Sequence, residues 1–349
     1  MATVFFTGYP GFLGSELLPR ILSRRDGATA LCIVQPKFAA LARERAAPLG
    51  DRVRIVEGDI TSPLHLDVDD VTEVFHLAAV YDLSVSRDLG MRVNVDGTRH
   101  VLDFAGSQRR LERVHYISTC YVSGRYDGTF TERDLSLGQT FNNHYEETKY
   151  LAEVEVQRRM RAGLPATIYR PSVVVGDSAT GATQKFDGPY FVMQWILRQP
   201  RVAFLPTTGG TKRYRFNVVP RDFIIRAIDH LSAQPGSRDK VYQLADPEPM
   251  TIDETIKTIA AATQHTVVRV PLTRSIAKAA LQYVPGMYQL MRIPAAAVDY
   301  FNHPTAYDTT NTRADLAGSG IDVPRLRDYI GNLVAFVRAH PEIGSGAMV

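Results

Sequence analysis

Tyr145 and Lys149 stand four residues apart in HYEETKYLAE, a spacing that puts both side chains on one face of a helix. A phenol with its ordinary pKa of ~10 is a poor proton donor or acceptor at neutral pH, and a neighbouring ammonium favours its phenolate. The pair predicts acid–base chemistry by the tyrosine, tuned by the lysine. Upstream, the apolar run ending in YIST carries the hydroxyls of Ser118 and Thr119. Cys120 follows them without a base to activate it, and reads as a small apolar neighbour of the site rather than a nucleophile.

A second constellation lies in FFTGYPGFLG, where Gly8, Gly11 and Gly14 separate one apolar run from the next. After a strand, Gly8 suits a tight turn, Gly11 a close approach of the backbone to a pyrophosphate, and Gly14 tight packing of the following helix. The helix start then offers unpaired amides and partial positive charge to that pyrophosphate. The next strand ends in CIVQPKF. Sites that prefer NAD place an acidic residue there for the ribose hydroxyl. Neutral Gln35 and basic Lys37 instead favour the 2′-phosphate of NADP(H), with NAD(H) possible.

Converging elements must hold these groups together. Strands are expected at residues 4–7, 30–35, 53–57, 74–79, 114–119 and 166–169, and helices over 14–24, 93–104 and 145–161. Such alternation implies an α/β fold with a parallel sheet covered on both faces. After Pro171 the rhythm fails, and glycines and prolines punctuate GDSATGATQKFDGP and PTTGGTK. A dinucleotide-binding domain is expected over 1–171 plus about 215–245, where FNVVPRDFIIRAIDHL and KVYQLAD look like a helix and a strand returning to the sheet. A smaller substrate lobe would take about 172–214 and 246–349.

The glycine spacing resembles the T-G-x-x-G-[FY]-[LI]-G of extended short-chain dehydrogenases/reductases. EGDI (Asp59, Ile60), HLAA (His76 to Ala79), NVDGT (Asn94), YISTCYVSG, YEETK and YRPSVVVG follow in the order of that family. The resemblance implies a Rossmann-type doubly wound sheet with a discontinuous α+β substrate lobe. It implies a cofactor site comprising Tyr9, Phe12 and Leu13 in the glycine turn, Gln35, Lys37, Asp59, Ile60, Ala78 and Ala79, and Tyr169, Pro171, Ser172 and Val173 after the sixth strand. Lys149 would also hold the nicotinamide ribose. Thr119, or Ser118 one residue away, would bond the substrate carbonyl oxygen, and Asn94 would support a proton relay. Pairing into a homodimer is a further implication.

Within that family, nucleotide-sugar epimerases and dehydratases are the mechanistic competitor. Dehydratases set acids beside the active-site threonine, where this chain reads Thr119-Cys120-Tyr121. Nucleotide-sugar enzymes carry R-x-x-N-x-Y-G-P, where this chain reads Arg170-Pro171-Ser172-Val173-Val174-Val175-Gly176. ISTCYVSG, FNNHYEETKYLAE and RPSVVVG resemble instead the thioester reductase and fatty acyl reductase (male-sterility) branch. That branch implies reduction of apolar acyl groups, carried by coenzyme A or a carrier protein, to aldehydes. A ketone or hydroxyl oxidoreductase acting on a steroid-, flavonoid- or polyketide-like substrate is the nearest alternative, and a non-catalytic dinucleotide sensor a further one.

Composition bounds the rest. A charge of +3 with interleaved acids and bases gives no footprint for nucleic acid, and two cysteines make neither a disulfide framework nor a metal site. The start lacks a signal-peptide pattern and no apolar run is long enough to span a bilayer, so a cytoplasmic protein is expected. RSIAKAALQYVPGMYQLMRIPAAAVDYF, with Ile276, Leu281, Tyr283, Met287, Leu290 and Met291, reads as core of the smaller lobe, a lid, or a membrane-touching surface.

Overall fold

A computed structural model describes residues 2–68, 70–207, 209–273, 275–276, 279 and 295–344. In chain order the strands are β1 (Thr3–Thr7), β2 (Thr29–Val34), β3 (Val53–Glu57), β4 (Val71–His76), β5 (Arg113–Ile117), β6 (Gly128–Phe130), β7 (Ala166–Pro171), β8 (Val173–Val175), β9 (Val202–Thr207), β10 (Val218–Pro220), β11 (Val241–Leu244), β12 (Thr266–Pro271) and β13 (Thr305–Tyr307). The helices are α1 (Gly14–Ser23), α2 (Pro36–Ala46), α3 (Arg87–Gly90), α4 (Gly97–Ser107), α5 (His144–Arg161), α6 (Pro189–Leu197), α7 (Arg221–Ala233), α8 (Ile252–Thr263), α9 (Thr310–Leu316) and α10 (Leu326–Ala339).

Seven strands form one parallel sheet in the order β11-β7-β5-β4-β1-β2-β3. The order reverses at β1, between β4 and β2, and such a reversal opens a crevice beyond the strand ends where ligands bind. The sequence TVFFT explains why β1 is central. Val4 and Phe6 pack with Leu17, Ile21 and Ile228 of α1 and α7, while Phe5 packs with Val101, Phe104 and Val156 of α4 and α5. A strand covered on both faces has no use for a polar side. The returning helix and strand are α7, packed on α1, and β11, paired with β7.

Residues after β7 build a further core in which Val175, Phe186, Tyr190, Ile256 and Leu333 meet. Small parallel pairs, β8 with β10, β9 with β12, and β6 with β13, frame it. No described helix is long and apolar enough to cross a membrane. Of the apolar segment singled out above, Leu281, Tyr283, Met287, Leu290 and Met291 lie outside the described residues, while Ile276 is exposed.

Three expected elements need correction. The helix expected over 93–104 is α3, a π-helical turn (Met91–Asp96) and α4 in succession. The strands expected to reach residues 79 and 119 stop at His76 and Ile117. Both strands end early because the chain must leave the ladder to deliver backbone and hydroxyls to the crevice.

Candidate active site

The glycine turn closes on itself first. Gly8 has φ +87°, and a Cβ there would lie 2.8 Å from the backbone of Leu77 and Ala78, which leave β4 beside it. A Cβ on Gly11 or Gly14 would strike the Gly8 carbonyl oxygen, at 2.8 and 2.5 Å. The turn thus requires all three glycines for its own closure. The start of α1 has no side-chain cap, and its Ser15 and Leu17 amides donate to the carbonyls of Gly11 (3.0 Å) and Leu13 (3.0 Å). Thr7 locks the neighbouring crossing: its hydroxyl accepts from Ala78 N (3.1 Å) and meets His76 Nδ1 (2.8 Å), whose Nε2 meets Thr98 (3.0 Å). Burial, with Lys149 second, pushes His76 down to about 3, so the imidazole is neutral and structural. Bare backbone, a helix start and a missing Cβ at each contact fit a dinucleotide pyrophosphate.

Two arginines that the sequence reading passed over hold this turn. Arg45, on α2, donates to Pro10 O (2.8 Å) and Ser15 Oγ (3.0 Å). Arg221, at the start of α7, stacks over Phe12 at 5.2 Å. Neither carried a local signal, because each partner is distant in the chain. Beyond β2, Gln35 donates to Asp59 (2.8 Å), and Lys37 lies over the Phe38 ring (5.1 Å). The Asp59 carboxyl sits below its usual range. Burial opposes that shift, and it is outweighed by the Thr61 amide, Gln35 and Lys37. Ile60 is buried against Gly97. Tyr9 and Leu13 turn their side chains into the core on the α1 face.

Tyr145 enters on the first turn of α5, which starts where Asn143 accepts from the Glu146 amide (3.0 Å). Its phenol is 7% exposed. Burial pushes its pKa up, and the Thr119 hydroxyl pulls it back. Lys149, 3% exposed, donates to Tyr116 Oη (3.0 Å) and Ile117 O (2.8 Å) and lies over the Tyr116 ring. The helical spacing is as expected, but the tuning is not. In this geometry the ammonium is anchored on the end of β5, its own pKa drawn down to about 7 by burial with Glu153 opposing, and it does not acidify the phenol.

Ser118 and Thr119 separate cleanly. Ser118 Oγ donates to Glu153 (2.5 Å), inside a buried pair with Arg170 (2.6 Å), and so faces away from Tyr145. Thr119 caps the turn Cys120–Ser123 and interacts with the phenol. Cys120 donates to Arg170 O (3.0 Å), its thiol pushed up by burial and inert. Asn94 sits in the π turn, where its amide accepts from Val80 N (2.9 Å) and donates to Thr148 (3.0 Å). It thus fixes the strand-to-site loop against α5. Tyr169 is withdrawn from the site: its ring stacks on Tyr242 and its hydroxyl meets His115 at 3.1 Å. Pro171 O accepts from Thr119, Ser172 Oγ is buried without a partner among the described residues, and Val173 lines the substrate side.

That side is a cleft of about 720 Å³ measured to its open mouth, where Tyr145 meets Tyr81, Leu83, Val173, Phe191 and Ile256. Tyr81 stands edge-on to Tyr145, ring centroids 4.9 Å apart.

Residues 6–228 match the family model described as male sterility protein. The chain belongs to the male sterility protein family. It thereby carries an NAD(P)-binding domain. The terminal R domain of the myxalamid PKS-NRPS pathway superposes with a TM-score of 0.82 at 24% identity, covering 99% of this chain and 93% of that one. DesIV, a dTDP-glucose 4,6-dehydratase from Streptomyces venezuelae, does so with a TM-score of 0.70 at 20% identity, covering 98% of each. At these identities the likeness concerns the fold. Among curated relatives, the nonribosomal peptide synthetase asaC of Aspergillus flavus is 25% identical over 95% of this chain and 36% of its own length. The aldehyde reductase lnbA of the same fungus is 23% identical over 95% of this chain and 34% of its own. The chain spans about a third of the length of these two relatives.

The family lysine also has a thermodynamic consequence. Holding Lys149 at about 7 disfavours its charged form in the fold, on the order of 5 kcal/mol at neutral pH and below. Between about pH 7 and the ordinary lysine value the unfolded chain binds the extra proton, so this destabilisation fades as pH rises. Lys149→Met is therefore expected to gain most over the parent in thermal midpoint at pH 6, with the gain shrinking toward pH 10. A pH-independent difference would refute the buried-ammonium assignment.

Proposed function

We propose that this chain is an NADP(H)-dependent reductase of apolar acyl thioesters or of the aldehydes they yield. The observation that carries this reading is the cleft: the Tyr145 phenol, which the Thr119 hydroxyl bonds, lines a space whose walls are mostly aromatic and aliphatic. Such a wall desolvates an alkyl chain favourably, while the Tyr145–Thr119 pair orients a carbonyl. A sugar diphosphate would find Val173 where it needs an amide.

The dinucleotide, when bound, supplies the hydride. The protein's part is alignment and proton supply. The glycine turn and the start of α1 hold the pyrophosphate, and Lys37 with Arg45 meet the 2′-phosphate. Thr119 bonds the carbonyl oxygen, Tyr145 gives it a proton, and Lys149 holds the nicotinamide ribose from the end of β5. The raised phenol pKa suits the reductive direction, because the donor keeps its proton at neutral pH. The residues beyond Pro171, about 172–214 and 246–349, supply the acyl cleft as a second lobe. Acyl groups would be delivered by coenzyme A or a carrier protein.

The test is NADPH consumption across acyl-coenzyme A thioesters, aldehydes, ketones and UDP-sugars. Turnover with thioesters and aldehydes above the rest is expected, and turnover with UDP-sugars alone would overturn the reading. For the cofactor, Lys37→Ala is expected to weaken NADPH binding by about tenfold while NADH binding changes much less. Equal losses for both dinucleotides would defeat the NADP(H) assignment.

A further inference from the structure

Tyr145 packs among Val80, Leu83, Val85, Leu89 and Val93, and Tyr81 stands edge-on to it. Aliphatic contacts exclude water but are non-directional, so they set the angle of the phenol only loosely. The Tyr81 ring can set that angle if Tyr81 is itself held. Its place on the loop after β4, 37% exposed, gives it no support from the sheet.

The hold comes from the loop before α6, 104 residues further along the chain, and it grips Tyr81 at three points. Lys185 Nζ donates to the Tyr81 carbonyl (3.2 Å) and lies over the Tyr81 ring (4.4 Å). The Tyr81 phenol donates to Asp187, which pairs with Lys185 (3.2 Å). Between the two charged residues, Phe186 is fully buried against Tyr190 (5.1 Å) and Phe336 (6.3 Å), and its amide donates to Gly344 O (2.9 Å). That anchor fixes where the ammonium and the carboxylate stand. Gly188 then turns the chain at φ +55°, with Val173 3.0 Å from where a Cβ would lie, and delivers Pro189 to the wall of the acyl cleft.

Resting on the reading of Tyr145 as the proton donor, we propose that Lys185, together with Asp187, is a positioning residue for the reduction. It clasps Tyr81 as a fixed wall, and that wall holds the Tyr145 phenol in line with the substrate carbonyl. Small distances decide the outcome. A donor must come within about 2.6–3.2 Å of the atom it protonates. A misplacement of about 1 Å costs up to about 10²-fold in rate. One ammonium serves the ring face and the carbonyl of Tyr81 at once, so its loss frees two of the three grips. Lys185 acts from outside the chemistry: Tyr81, Gly188 and Pro189 are among the described residues lining the acyl cleft, and Lys185 and Asp187 are not.

The test measures the single-turnover rate of NADPH oxidation, and KM, with whichever acyl thioester or aldehyde the parent reduces. Lys185→Met is expected to slow that rate about 10–100-fold while KM and dinucleotide affinity stay near the parent's. Lys185→Arg keeps a cation over the ring and a donor for the carbonyl, and should recover most of the rate. Lys185→Met/Asp187→Asn leaves no unpaired carboxylate, so it serves if the single variant fails to fold, and it should be as slow. Tyr81→Leu should also be slow, and adding Lys185→Met to it should cost little more, because both act through one ring. A parent-like rate in the variants without the ammonium, a loss that Lys185→Arg does not recover, or additive losses overturns the proposal while the thioester reading stands. If the parent reduces no thioester or aldehyde, that reading fails, and the ring itself decides the clasp by fluorine NMR of 3-fluorotyrosine-labelled protein. The Tyr145 resonance, assigned by its loss in Tyr145→Phe, should shift or broaden in Lys185→Met, and an unchanged resonance overturns the proposal.

Discussion

Tyr145→Phe is expected to lower turnover about 10²–10⁴-fold with whichever carbonyl substrate the parent accepts, and to leave dinucleotide affinity unchanged. The substitution removes one oxygen from a side chain only 7% exposed. The ring keeps its edge contact with Tyr81, and the glycine turn lies on other elements. What is lost is the proton donor beside Thr119. Burial already holds the phenol's proton well into the alkaline range, so titration of Tyr145 does not set a rate limb near neutrality. A limb observed near pH 7 belongs to Lys149, drawn down to about 7, and should vanish in Lys149→Met. Steady-state turnover and NADPH titration by fluorescence check the first claim together. Unchanged turnover in Tyr145→Phe would remove the tyrosine from the mechanism.

The sheet and its glycine turn were legible because they rest on local rules. TVFFT has no polar face, and residues placed on both sides of β1 demand that. The Tyr145–Lys149 spacing likewise fixed a common helical face. The direction of electrostatic influence was not legible, because it depends on where a flexible ammonium finds acceptors. Lys149 finds them at Tyr116 and Ile117, more than thirty residues back in sequence. The choice between Ser118 and Thr119 was similarly invisible: the residues adjoin, and only the position of Glu153 on α5 claims one of them. Arg45 and Arg221 escaped notice because their contacts with Pro10 and Phe12 join separate elements. Tyr169 was placed at the cofactor by its neighbours in the motif, yet strand alternation sends its ring to the core side, against Tyr242.

Glu153→Gln is expected to destabilise the fold by about 3–5 kcal/mol. Glu153 and Arg170 are both fully buried, 2.6 Å apart, and Arg170 is otherwise held by the carbonyls of Asp134 (2.7 Å) and Thr131 (3.4 Å). Glutamine keeps the shape and accepts one hydrogen bond, but it leaves a guanidinium without a counter-charge in the interior. It also removes the acceptor that pins Ser118 beside Thr119. Because Glu153 is the group opposing the burial of Lys149, its neutralisation should move the Lys149 limb of the pH–rate profile further to acid. The double replacement Glu153→Leu/Arg170→Met exchanges the pair for apolar volume, and should recover most of the lost stability while still moving that limb. Denaturant titration gives the first effect and kcat/KM against pH the second. A Glu153→Gln protein as stable as the parent would show that the buried arginine is compensated by its carbonyls alone, and an unmoved limb would show that Lys149 does not feel the carboxylate one helical turn away.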